Sequence, residues 1–156
     1  MKRYSVTALL LGWLMVAFGQ AGAGDPDKEE AIKKDRESYQ GGWTVIALEV
    51  NGTRVSDKDA RQITVVNRKD GTWTIRVEGN VIARGTSRID PLQKPKAYDF
   101  TPSEGMDKGK TYLGIYEIRG GYRKLCYAPP GKDRPHEFAA RPKSGHVFVV
   151  FQREKD

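Results

Sequence analysis

Cysteine occurs once in the 156 residues and histidine twice. A single thiol excludes an intramolecular disulfide and a Cys-based zinc cluster. Cys126, His136 and His146 stand ten residues apart, a spacing that fits no compact metal motif. An inert buried thiol and two surface imidazoles are the economical account of them. A nucleophile elbow is also lacking. Ser144 near His146, and Cys126 with a histidine of unfixed position, are the nucleophile–base pairs on offer, and neither carries a local signature. No catalytic residue, metal or cofactor is therefore expected, and the chain reads as a non-enzyme. The run Gly105-Met106-Asp107-Lys108-Gly109-Lys110-Thr111 looks like a phosphate loop. It is one residue short of the required spacing and leads into a strand, where phosphate binding needs a helix N-terminus.

Long apolar runs are scarce. The apolar run near the start, residues 6–18, spans 13 residues behind Lys2 and Arg3 and ahead of Gln20-Ala21-Gly22-Ala23. It is too short to cross a bilayer comfortably, but has the length, basic head and small-residue cleavage site of an export signal. Cleavage after Ala23 leaves 133 residues, with 25 Lys and Arg against 20 Asp and Glu, a net charge of +5. The expected destination is the periplasm or the medium. The basic residues are spread along the chain and often sit at turns. Even the most suggestive cluster, Tyr122-Arg123-Lys124, reads as a solvated surface rather than a nucleic-acid contact. A monomer without nucleic acid or stable membrane insertion is expected, with weak attraction to anionic envelope surfaces left open.

What the chain does have is turns and strands. The 17 glycines, 8 prolines, 7 tyrosines, 5 phenylalanines and 3 tryptophans favour β-structure. Asp25 and Pro26 predict a helix start, with a stop at Gly41-Gly42. Its apolar stripe, only Ile32 and Tyr39, marks it as a surface element, a tether or plug for one end of the domain in preference to a lid or docking arm. Strands are expected over residues 43–50, 63–67, 72–78, 81–89, 97–101, 112–118, 122–127 and 147–152, with a further short one at 137–140. Asn51-Gly52 is a strong turn dipeptide. Ser56 with Asp59 predicts a helical turn or two over 57–62. Small residues at Ala83, Gly85 and Ser87 suit the inner wall of a narrow barrel. About eight strands in hairpin order, with no helix long enough for a parallel crossover, predict an eight-stranded antiparallel up-and-down barrel with a short N-terminal helix. The boundaries read 1–23 for the signal, 24–40 for the helix or tether and 41–156 for the barrel.

Gln40-Gly41-Gly42-Trp43 resembles the Gly-x-Trp opening of lipocalins. Ile89-Asp90-Pro91, Lys94-Pro95-Lys96, Asp99-Phe100-Thr101, Lys108-Gly109-Lys110-Thr111 and Leu113-Gly114-Ile115-Tyr116-Glu117 are similar to a family of secreted, uncharacterised lipocalin-like domains abundant in planctomycetes. So are Leu125-Cys126-Tyr127-Ala128-Pro129-Pro130-Gly131 and Arg134-Pro135 before Glu137-Phe138. The resemblance covers residues 40–155. It implies a lipocalin-like barrel and carries over no reaction. It also implies that Trp43 seals one end with Arg153 lying across it. One departure is the hairpin Arg119-Gly120-Gly121-Tyr122-Arg123, where the family usually has an acidic-polar turn followed by an apolar residue. Arg123 falls on the strand face of Leu125 and Tyr127, so either that face is outward near the tip or a guanidinium points into the barrel mouth.

Two functions stay open at this stage. The interior can be a pocket for a small apolar or amphipathic molecule, with Trp73, Tyr98, Phe100 and Tyr116 lining it. Tyr122 and Arg123 would then hold an acidic headgroup at the open end, away from Trp43. Alternatively the interior is filled and the loops bind an envelope protein or other partner, with Arg123 a solvated turn residue. Mass spectrometry of exported material should find a chain beginning at Gly24. A chain retaining Met1 would contradict the export signal.

Overall fold

The computed structural model describes residues 24–155. The predicted export segment, residues 1–23, lies outside the described residues. The chain enters through α1 (Pro26–Tyr39), whose N-cap Asp25 accepts a hydrogen bond from the Asp27 amide at 3.1 Å. The strands follow as β1 (Gly41–Val50), β2 (Thr53–Arg54), β3 (Ile63–Asn67), β4 (Thr72–Val77) and β5 (Asn80–Asp90). They continue as β6 (Lys96–Pro102), β7 (Tyr112–Arg119), β8 (Tyr122–Tyr127) and β9 (Val147–Arg153). A single turn of helix, α2 (Asp57–Ala60), interrupts them and is capped by the Ser56 hydroxyl, which accepts from the Asp59 amide at 3.1 Å.

From β3 onward each strand pairs antiparallel with the next, β1 pairs with β3, and β1 also pairs with β9. That last pairing closes an eight-stranded up-and-down barrel, with β2 outside it as a two-residue extension hairpinned onto β1. Asn51 and Gly52 make that hairpin, both with positive φ (50° and 84°), as the mirror-image turn between twisted strands requires. Closure leaves no long unpaired edge.

The antiparallel order defines two ends. One carries the start of β1, the end of β9, the β7–β8 turn and α1. The other carries the end of β1, α2, the β4–β5 turn and the β6–β7 loop. α1 lies across the first end, tied by polar contacts because its apolar face is so narrow. Lys28 Nζ donates to Asp90 at 2.7 Å, and Arg36 donates to the Ser87 hydroxyl at 2.9 Å. Asp35 Oδ2 accepts from Lys96 Nζ at 2.6 Å and from the Tyr116 hydroxyl at 2.7 Å. These ties drive Tyr39, in the last turn of the helix, into the barrel end, where it is buried. The helix is a plug.

Inward-facing residues alternate as the barrel demands. On β5, Gly85 and Ser87 face in while Arg84, Thr86 and Arg88 face water. A Cβ on Gly85 would approach the Trp73 ring to 2.3 Å, so glycine here makes room for an indole. The predicted strand at 137–140 does not form. Pro135 and Pro142 flank the stretch, and residues 137–140 pair with no strand of the barrel. The segment instead covers the outer wall, where Phe138 meets Phe148 with ring centroids 6.4 Å apart and Cys126 Sγ donates to the Ala139 carbonyl at 3.4 Å.

Replacing Asp35 by alanine removes the acceptor shared by Lys96 and Tyr116 and strands the hydroxyl of a buried tyrosine. Denaturant unfolding should show a loss of about 1–3 kcal/mol with the β-sheet circular dichroism unchanged. An unaltered midpoint would mean that α1 does not hold the barrel end.

Candidate functional site

The barrel is not filled. A cavity of about 250 Å³ runs inside it from Leu48, Ile63 and the 60% exposed Ile82 at the α2 end to Tyr39 and Arg123 beneath α1. Its wall between them is apolar, built from inward residues such as Val45, Val65, Trp73, Phe100, Leu125 and Val149. Ile82 reaches the mouth through a β-bulge. Ile75 pairs with Ala83 and Arg76 with Val81, so Ile82 is the extra residue of β5. The Trp73 ring is fixed by its indole N–H, which donates to the Thr86 carbonyl at 3.0 Å.

Arg123 is the exception in this lining. It is 2% exposed. Its guanidinium lies 4.1 Å from the Phe151 ring centroid, 4.3 Å from that of Tyr39 and 4.7 Å from that of Trp43. The register explains why. Arg123 sits opposite Phe151 on β9 and Ile118 on β7, two positions from Leu125 on the inward face. Among the described residues no carboxylate pairs with it, and its Nε and Nη1 have no hydrogen-bond partner. Burial presses its pKa down, with Arg153 adding to that, but guanidinium remains charged at any ordinary pH. Tyr39 supplies no counter-charge, since burial raises its pKa well above the normal phenol value. Its own hydroxyl is buried beside the Tyr98 phenol and makes no well-formed hydrogen bond.

The site therefore differs from the sequence reading in three respects. Arg123 is not at the open end away from Trp43, nor is it a solvated turn residue: it is at the Trp43 end, inside. Hairpin geometry places the tip of β7–β8 beside the end of β9, and the alternation then turns Arg123 inward. Tyr122, its neighbour, points the opposite way, is 48% exposed and does not line the cavity. Tyr116 is buried but lies in the seam with α1, its hydroxyl held by Asp35, and does not line the cavity either. Trp73, Tyr98 and Phe100 do line it. Tyr39 went unrecognised as a lining residue. The sequence signal was a lone aromatic at the end of a polar helix, just before the glycine pair.

The Trp43 end is built from both chain termini of the barrel. Trp43 is fully buried, and its indole N–H donates to the Tyr39 carbonyl at 2.9 Å. Arg153, its direct partner on β9, places its guanidinium 4.2 Å from the Trp43 ring centroid. Arg153 also donates to the carbonyls of Gln40, at 2.8 Å, and Ser38, which locks the end of α1 to the last strand.

Other clusters offer less. A hollow of about 380 Å³ lies outside the barrel under α1, lined by Lys28, Arg36, Arg88, Asp90, Asp99 and Arg134 among others. Its charges are largely spent on one another: Lys28 pairs with Asp90, and Arg134 grips both oxygens of Asp99. Cys126 is buried with its thiol pKa raised by burial. No group of three or more His, Cys, Asp or Glu among the described residues is arranged to hold a metal ion.

Arg153→Ala removes the stack on Trp43 and two carbonyl contacts while leaving the cavity lining intact. The expected loss is about 1–3 kcal/mol in denaturant unfolding. Unchanged stability would mean that the end seal does not depend on Arg153.

No family model matches the chain, and no curated protein matches it.

Proposed function

We propose that the chain is an exported, lipocalin-like binding module that holds the apolar body of a small amphipathic molecule inside its barrel and catalyses no reaction. The supporting observation is the cavity itself. A filled barrel has no room for a guest, whereas this one keeps about 250 Å³ open between Ile82 and Arg123. That is close to the lower end of the roughly 300–1,000 Å³ of small-ligand sites. Its apolar wall suits hydrocarbon, and its single cation suits an anion. The trans-barrel arrangement, with one end plugged by α1 and the other open past Ile82, gives a guest one way in.

The reading in which loops engage an envelope protein draws on a different observation, the 98% exposed Met106 in the β6–β7 loop. Failure of small molecules to bind would favour it.

A ligand that binds only the folded state stabilises it, by about 2.7 kcal/mol at a hundredfold excess over Kd. Acidic amphiphiles at about 1 mM, the weak end of useful affinity, should raise the melting temperature of the wild type. Ile75→Trp, which fills the cavity from β4, should abolish that rise while the variant remains folded. No shift with any apolar or amphipathic compound would overturn the proposal.

A further inference from the structure

We infer that the guest enters head first and is a single-chain monocarboxylate. Its carboxylate sits at Arg123 and the Tyr39 hydroxyl, and its hydrocarbon chain runs along the barrel toward Ile82. The inference rests on the binding-module reading above and adds the ligand's class and orientation.

The closed end of the cavity holds unmet donors. Arg123 has two N–H-bearing nitrogens, Nε and Nη1, without acceptors, and the Tyr39 hydroxyl, buried beside the Tyr98 phenol, makes no well-formed hydrogen bond. Guanidinium has no lone pair to offer, so the missing group is an acceptor, and a carboxylate is acceptor-only. The Phe151, Tyr39 and Trp43 rings attract the charge but supply no oxygen to its N–H groups. A buried cation with no anion is costly, and the contact with a carboxylate becomes correspondingly strong once water is excluded.

Charge and size narrow the class further. Arg123 is the one cationic residue in the lining. Arg153, the next nearest, is committed to the Ser38 and Gln40 carbonyls. One cation and one neutral hydroxyl balance a monoanion, while a phosphate monoester carries nearly two charges near neutral pH. At roughly the 30 Å³ that a water claims in the liquid, the cavity holds about eight non-hydrogen atoms. A chain longer than that passes Ile82 into solvent. Between the two ends the lining carries no charge, and its remaining polar groups are the phenols of Tyr98 and Tyr127, neutral hydroxyls that hold a carboxylate less strongly than a guanidinium does.

Isothermal titration calorimetry with decanoate, decyl phosphate and 1-decanol tests this on the mature chain. The wild type should bind decanoate roughly tenfold or more tighter than 1-decanol or decyl phosphate. Arg123→Met keeps the bulk and removes the charge, and should equalise decanoate and 1-decanol. Tyr39→Phe removes only a hydroxyl, retains the plug, and should weaken decanoate selectively. It keeps the test decidable if Arg123→Met does not fold. The 13C carboxyl signal of bound [1-13C]decanoate should stay in its ionised position at a pH where the free acid is half protonated. Equal wild-type affinity for decanoate and 1-decanol would overturn the head-first carboxylate and leave the cavity reading standing. So would a preference for decanoate that survives both substitutions. Absence of binding by all three compounds would overturn both.

Discussion

An eight-stranded barrel has two ends to manage, and in this chain the end plugged by α1 is organised around a single indole. Trp43 sits where the first and last strands meet, fully buried, with two guanidinium groups over its ring. Its partners come from every part of the chain that must converge there. Tyr39 ends α1 and accepts the indole N–H, Arg153 ends β9, and Arg123 opens β8. Closure by β1–β9 pairing, docking of the helix and the base of the cavity are thus one arrangement. A change at Trp43 would be felt in all three.

The two arginines use the same ring in different ways. Arg153 is half-buried, and carbonyls of the helix end satisfy its N–H groups. Its charge stays close to water, and its role is mechanical. Arg123 is enclosed, faces apolar wall, and has no acceptor among the described residues. For a purely structural purpose a hydrophobic residue of that size would serve at least as well, since buried ions are seldom net stabilising. An enclosed guanidinium at the base of an apolar cavity is what sets the functional reading.

The strand order, the barrel and the helix were legible because each rests on local chemistry. Asn51-Gly52 can adopt two positive φ values cheaply, Ser56 caps one turn of helix, and the alternation on β4 and β5 separates Trp73 and Ile75 from the outward arginines. Less was legible where neighbours decide. The 137–140 stretch alternates weakly and lies among prolines, and it packs as irregular chain over Cys126 and Phe148. The periodicity put Arg123 on the face of Leu125 and Tyr127. Which way that face points, and which end of the barrel the hairpin tip occupies, depends on pairing with β9. Tyr116 has the spacing of a lining residue, yet Asp35 on α1 draws its hydroxyl into the seam, a contact across 81 residues. The cavity itself is a difference between barrel girth and side-chain volume and has no sequence signature.

Arg123 is an enclosed cation at the base of the cavity, pressed among three aromatic rings. Nuclear magnetic resonance of 15N-labelled arginine side chains tests this placement without any ligand, with Arg123→Met serving only to assign the signal. The Arg123 Nε–H should resonate far upfield of the other arginines, because its guanidinium packs over the Phe151, Tyr39 and Trp43 rings. It should also exchange slowly with solvent. An Arg123 Nε–H with the shift and rapid exchange of a solvated arginine would contradict the account.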